Sequence, residues 1–180
     1  MNVLNESILD AQVPAQAQER PEGFRRVQGA LSERRHAREA RWLEVAARTS
    51  QEAADALGVS LGQIAKSVVF RRRADEAAVM VITSGDKRVD EKKLAQHTGP
   101  LGRADADYVK TRTGFSIGGV SPLGFAPADG LPQPLLFLDR ELFRFNLIWA
   151  AAGHPNGVFP MTPDELVSLT GAPVIDVVQA

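Results

Sequence analysis

The stretch "SVVFRRRADEAAVMVITSGDKR", residues 67–88, sets the first limit on the fold. Two β-branched runs follow one another with only a short charged connection between them, and the second ends in a Ser-Gly-Asp turn. Strands that succeed each other without a crossover helix do not fit a doubly wound parallel sheet. Further strand patterns lie in "PLLFLD", "FNLIWAAAG", "NGVFPMT", "PVIDVV" and the short "RWLEVAA". Helical signals alternate with them. Phe24, Val27 and Leu31 recur at helical spacing, Thr49 and Glu52 form a capping box before "QEAADALG", and Ser60 and Gln63 repeat it before "LGQIAK". "VDEKKLAQHTG" and "DADYVKTRTG" also read as helices, and Thr162 with Glu165 caps "PDELVSLTG" with Pro163 in the first position. The fold predicted is α/β: a single domain with a mixed central β-sheet and surrounding helices.

The chain has 180 residues, 44% of them hydrophobic, enough for one buried core. Residues 1–22 lack a basic segment followed by an apolar one and are expected to form a flexible tail, leaving the domain at 23–180. No apolar run approaches the roughly 20 residues of a membrane span, so no membrane partner is expected and the location expected is cytoplasmic. Cysteine is absent, which removes thiol catalysis and cysteine-based zinc sites. His36, His97 and His154 are too scattered for a zinc-binding helix, so neither a metal nor a cofactor is expected.

Net charge is −1, unlike a general nucleic-acid coat. Its distribution is uneven: residues 1–112 hold 19 of the 21 basic and 16 of the 22 acidic side chains, leaving that part at +3 and the rest at −4. "FRR" at 24–26, "ERRHAREAR" at 33–41, "FRRRADE" at 70–76 and "GDKRVDEKK" at 85–93 are the basic contributors. Each alone reads as a solvated face. So modest an excess suits a phosphate-bearing partner held at one end.

The stretch "TGFSIGGVSPLGF", residues 113–125, carries no acid, base, cysteine or histidine. A serine nucleophile at Ser121 is disfavoured, since Pro122 follows it and has no N–H for an oxyanion hole. Gly118 and Gly119 instead allow close approach to the main chain, and Pro122 stiffens the far end of the loop. Such a loop can stabilise developing charge with its own dipoles. Alone, it also reads as an ordinary Gly-Pro turn.

Together with "LGVSLGQIAKSVVF", "VITSGDKRVDEKKLAQHTG" and "IWAAAGHPNGVFPMTPDELVSLTGA", in this order and spacing, the loop resembles the YbaK/ProX family. These are trans-editing aminoacyl-tRNA deacylases related to the insertion domain of bacterial prolyl-tRNA synthetases, and the resemblance covers roughly residues 24–180. It implies the fold of that domain and an ester hydrolase acting on the acceptor end of mischarged aminoacyl-tRNA, most simply tRNA for proline carrying alanine or another small amino acid. It also implies transient contact with an aminoacyl-tRNA synthetase. The family's lysine corresponds to Lys66, its G-x-x-x-P loop to Gly118 through Pro122, and the histidine of the insertion-domain-like branches to His154. Lys66, Gly118 and His154 are therefore the catalytic candidates. Ile117, Gly119, Val120, Ser121, Pro122 and Phe125 are the substrate-binding candidates. His154 is compatible with a catalytic or a structural role. Two alternatives stay open: a binding module for tRNA ends or nucleotides on the same fold, and a hydrolase of a different ester or amide.

Overall fold

The computed structural model describes residues 20–180. Of the expected tail, residues 1–19 lie outside the described residues, and α1 (Glu22–Glu33) begins directly after Pro21. Its buried residues Phe24, Val27, Ala30 and Leu31 form one stripe, as their spacing predicts.

The two β-branched runs form β2 (Ile64–Arg72) and β3 (Ala78–Ser84), paired antiparallel from Ala65↔Ser84 to Arg71↔Ala78. From β3 the sheet extends through β5 (Leu135–Asp139) to β8 (Val174–Ile175), each parallel to its neighbour. From β2 it extends through the parallel β6 (Ile148–Ala151) to the antiparallel β7 (Gly157–Met161) and β1 (Arg41–Trp42). A further strand, β4 (Leu101–Arg103), pairs antiparallel with the far end of β2. The order β1-β7-β6-β2-β3-β5-β8 mixes parallel and antiparallel neighbours, in agreement with the fold class the sequence predicts.

One face of the sheet packs against α1 and α5 (Pro163–Thr170), where Val27, Leu31 and Leu166 meet Met80, Ile82, Leu138 and Phe159. The other is covered by α3 (Glu91–Thr98), through Leu94, together with Val89 and Val177 over Phe70, Val79 and Val81. Two short helices, α2 (Ser50–Leu57) and α4 (Ala106–Thr113), complete the set among the described residues. Their caps are side chains: Thr49 Oγ1 accepts from the Glu52 N–H at 3.1 Å, and Asp105 accepts from Tyr108 N–H at 2.8 Å.

Two local expectations change. "SLGQIAK" holds only a single 3₁₀ turn, Leu61–Gln63, and Lys66 is already the third residue of β2. Gln63 closes the turn by accepting from Ser60 N–H, then ties it to the sheet by donating to Leu147 O. The pairing of Ile64 and Ala65 with β6 pulls the following residues into a strand. Strand β4 has no counterpart in the sequence pattern, because three residues centred on a glycine carry no alternation.

Two glycines of α1 have opposite meanings. A β-carbon on Gly23 would overlap the carbonyl oxygen of Gly153, whereas one on Gly29 would meet nothing within 4 Å. Alanine gains at most about 1 kcal/mol of helix propensity over glycine. Crowding a backbone that cannot retreat costs about 1–3 kcal/mol. Gly29→Ala is therefore expected to stabilise the fold by about 0.5–1 kcal/mol and Gly23→Ala to destabilise it. Urea denaturation of the two variants checks the pair.

Candidate active site

The site begins with a defect in the sheet. Strand β6 pairs with β2 only at Ile64 and Ala65, and β4 only from Phe70 to Arg72, on the same edge. Residues 66–69 have β3 on one side and, among the described residues, no strand on the other. Because backbone groups alternate in direction along a strand, the N–H and C=O of Ser67 and the N–H of Val69 point into this gap. The loop 115–120 stands opposite. Between them is a cavity of about 320 Å³, walled by Lys66, Ser67 and Val69 from β2 and by Ile117, Gly118 and Val120 from the loop. Two of its lining residues carry buried polar atoms with no hydrogen-bond partner among the described residues, Ser67 Oγ and Trp149 Nε1.

The loop is held from behind by α1. Arg26 donates through Nε to Gly124 O at 3.1 Å and through Nη2 to Gly114 O at 3.0 Å, while its guanidinium lies 4.7 Å from the centre of the Phe115 ring. Within the loop, the Gly119 N–H donates to Ser116 O at 3.0 Å. That donor is committed, whereas the N–H groups of Gly118 and Val120, both residues of the cavity wall, have no acceptor among the described residues. Gly118 has φ +95°, a conformation that side chains rarely adopt. A β-carbon on Gly119 would stand 2.8 Å from the backbone of His154, so the glycine loop and the 152–157 turn touch main chain to main chain.

Lys66 Nζ donates to Lys87 O at 2.5 Å. Burial lowers its pKa, the nearby Asp86 opposes this, and Arg88 adds to the lowering. Asp86 is itself gripped by Arg144, at 2.7 and 3.0 Å, which holds its carboxyl below the usual range. Lys66 thus lines the cavity with no carboxylate bound to it among the described residues.

His154 stands behind the loop and does not line the cavity. Its ring stacks on Trp42, with centres 4.9 Å apart, and its Nδ1 accepts the N–H of Asn156 at 3.1 Å, which leaves the proton of the neutral ring on Nε2. Burial lowers its pKa, and Arg48 lowers it further. The other histidines sit elsewhere: His36 lies 2.8 Å from Pro160 O and 3.3 Å from Glu165, and His97 packs beside Phe137.

Of the residues expected from sequence, the structure brings Lys66, Ile117, Gly118 and Val120 to one cavity and places Gly119 and His154 immediately behind it. Ser121 is fully buried, its Oγ accepting the Leu123 N–H at 3.4 Å. Pro122 and Phe125 face a different hollow, beside α1, and Phe125 packs on Phe115. Successive residues of a turning loop point to opposite sides, which a linear motif does not resolve. Sequence reasoning passed over Arg48, Ser67, Trp42, Trp149 and Arg26. Only Ser67 carried a signal, its place next to Lys66 in "QIAKS".

The sequence model of the aminoacyl-tRNA editing domain matches residues 44–169, and the chain belongs to that family. The match spans Lys66, Gly118 and His154. Among individual proteins, the chain is 37% identical over 124 residues to the uncharacterized protein YwhH of Bacillus subtilis (strain 168), covering 68% of this chain and 75% of YwhH. It is also 37% identical over 89 residues to a proline–tRNA ligase of Pelotomaculum thermopropionicum, covering 48% of this chain but only 15% of the ligase. A solved structure of a candidate trans-editing enzyme for prolyl tRNA synthetase superposes with a TM-score of 0.79 at 39% identity, over 89% of this chain and 99% of that one.

A base whose folded pKa lies below its unfolded value costs folding energy when it takes up a proton. The contribution of His154 is thus present above its ordinary pKa of 6.5 and is lost as the pH falls. Removing the like charge beside it should ease protonation, so Arg48→Gln is expected to raise the pKa of His154. A histidine NMR titration reads this directly, and an unchanged or lower value contradicts the role given to Arg48.

Proposed function

We propose that the protein is a trans-editing hydrolase that cleaves the ester of mischarged aminoacyl-tRNA, with tRNA for proline bearing alanine or another small amino acid as the substrate. The observation that carries this reading is the chamber at the open edge of β2. It gathers a cation, a glycine loop and main-chain donors outside the sheet ladder, and the hydroxyls that line it, Thr49, Ser50 and Ser67, have no histidine beside them among the lining residues to activate them.

That inventory suits the chemistry. An aminoacyl ester is already an activated acyl group, so the catalyst has to place water and stabilise a tetrahedral oxyanion. Water adds to the ester carbonyl, and the oxyanion is met by main-chain N–H groups of the Gly118 loop or of the β2 edge. The intermediate then collapses with cleavage of the bond to the ribose oxygen, which leaves with a proton. The amino acid and the free tRNA end are the products. The vicinal ribose hydroxyl of the substrate relays the proton in the scheme the family resemblance implies, which removes the need for a general base. Lys66 meets the anionic nucleotide or the polarised carbonyl, and His154 acts as a positioning residue through Gly119.

A separate hydrolase has a physical purpose. A synthetic site sized for proline cannot strongly reject a smaller amino acid, because one methylene is worth only about 1–3 kcal/mol. A second chamber that admits the small product and excludes the correct one restores accuracy. Ile117, Val120 and Val69 supply the apolar wall for such a sieve.

The test is release of labelled amino acid from tRNA for proline charged in turn with alanine, serine, cysteine and proline. Hydrolysis of a small-residue ester with prolyl-tRNA spared is expected, and Lys66→Ala should abolish it in a protein that still unfolds cooperatively. Full activity in a folded Lys66→Ala variant would remove the mechanism. Gly118→Ala is expected to slow deacylation by about 10²-fold or more, the scale of losing one oxyanion donor. Its new β-carbon meets only ordinary contacts with Arg48, at 3.6 Å, so the damage lies in the φ of +95°. Ser121→Ala should change the rate only a few-fold, because its hydroxyl is sealed in the loop. The reverse pattern would make Ser121 the nucleophile.

A further inference from the structure

On the face of the sheet opposite α1 lies a second groove, of about 670 Å³, that the mechanism does not use. It starts at Lys66 and Val68, which also line the cavity, and continues over Phe70 and Val89 to Arg88 and Lys92 at the start of α3. The groove and the cavity are therefore neighbours across the unpaired segment of β2.

Two of the cations along it are uncommitted. Among the described residues, the side chains of Arg88 and Lys92 make no ion pair and no hydrogen bond, although both are exposed. Their sequence neighbours differ: Lys87 pairs with Glu141 at 3.8 Å, and Lys93 pairs with Asp176 at 3.2 Å. Two carboxylates also line the groove. Asp90 caps α3, accepting from Lys92 N–H at 3.0 Å and Lys93 N–H at 3.2 Å, and with Glu91 it opposes the three cations Lys66, Arg88 and Lys92, which outnumber the two acids by one. The field of Arg88 reaches Lys66 and contributes to its lowered pKa. Three cations in sequence along a groove with an apolar floor match a flexible polyanion whose charges repeat along a strand.

We propose that this groove holds the single-stranded 3′ end of the RNA, with Arg88 and Lys92 on its phosphates, so that the acylated ribose arrives at Lys66 and its ester enters the cavity. The proposal rests on the editing function above and gives the run "GDKRVDEKK" its role.

Three measurements on the full chain test it, with Arg88→Gln, Lys92→Gln and the double variant, and Arg25→Gln as a charge control on the exposed side of α1. The first is anisotropy of a labelled RNA hairpin with a CCA 3′ end, as a function of salt. The slope of log affinity against log salt should fall by about 0.7 for each groove charge removed and stay unchanged in the control. The second and third are deacylation of aminoacyl-tRNA and of aminoacyl-adenosine, which lacks the strand. The groove variants should lose kcat/KM on the first, and Lys92→Gln, whose charge is not among those acting on Lys66, should keep it on the second. Wild-type hairpin binding and salt slope in the double variant would overturn the proposal, as would equal losses on both esters in Lys92→Gln. If the wild-type protein hydrolyses neither ester, the editing function fails, and the hairpin measurement still decides the groove.

Discussion

A β-strand has two edges, and in this protein one edge of β2 is divided between partners that run in opposite directions. Strand β6 takes its first two residues as a parallel neighbour, and β4 takes its last three as an antiparallel one. They cannot merge, so the middle of the strand keeps backbone donors and an acceptor that no ladder satisfies. A buried gap of this kind would normally be a liability. Here the glycine loop closes the space, and the polar groups become the wall of a chamber. The position of Lys66 follows from the same division, since it is the first residue beyond the β6 pairing.

The second organising element is the way the loop is fixed without contacts on its functional side. Arg26 binds the carbonyls at both ends, a turn closes between Ser116 and Gly119, and the backbone of His154 presses on Gly119. All of these lie behind the loop. Its cavity face is left with Gly118 and Val120 donors and the exposed side chain of Ile117, 59% accessible at the rim. A rigid frame with an uncommitted inner face is what preorganised electrostatic stabilisation requires.

Much of this architecture is written locally. Capping residues such as Thr49, Asp105 and Thr162 mark helix starts by chemistry that acts over three residues, and the β-branched runs mark β2 and β3. Lys66 and Gly118 enter as candidates through the family resemblance of their motifs. What was not legible depends on residues distant in the chain. The gap is a property of register between segments more than 80 positions apart, as Ile64↔Trp149 shows. Arg48 and Trp42 gain meaning only when the first strand lies beside β7 and brings them to His154. Pro122 and Phe125 share a motif with Gly118, yet the turn of the backbone sends them toward α1.

The placement of β6 and β7 carries a consequence for how the protein comes into being. Ribosomes deliver a chain from its amino terminus, and Lys66 and the glycine loop emerge well before the strands that wall their cavity and seat Trp42. Pairings of such long sequence separation are slow to form, because the intervening loop must close before the contact stabilises anything. A nascent chain halted ahead of Ile148 would hold three of the four motifs of the family, Lys66 and Gly118 among them, and yet lack the strands that wall the chamber. In this fold, competence is the last property acquired.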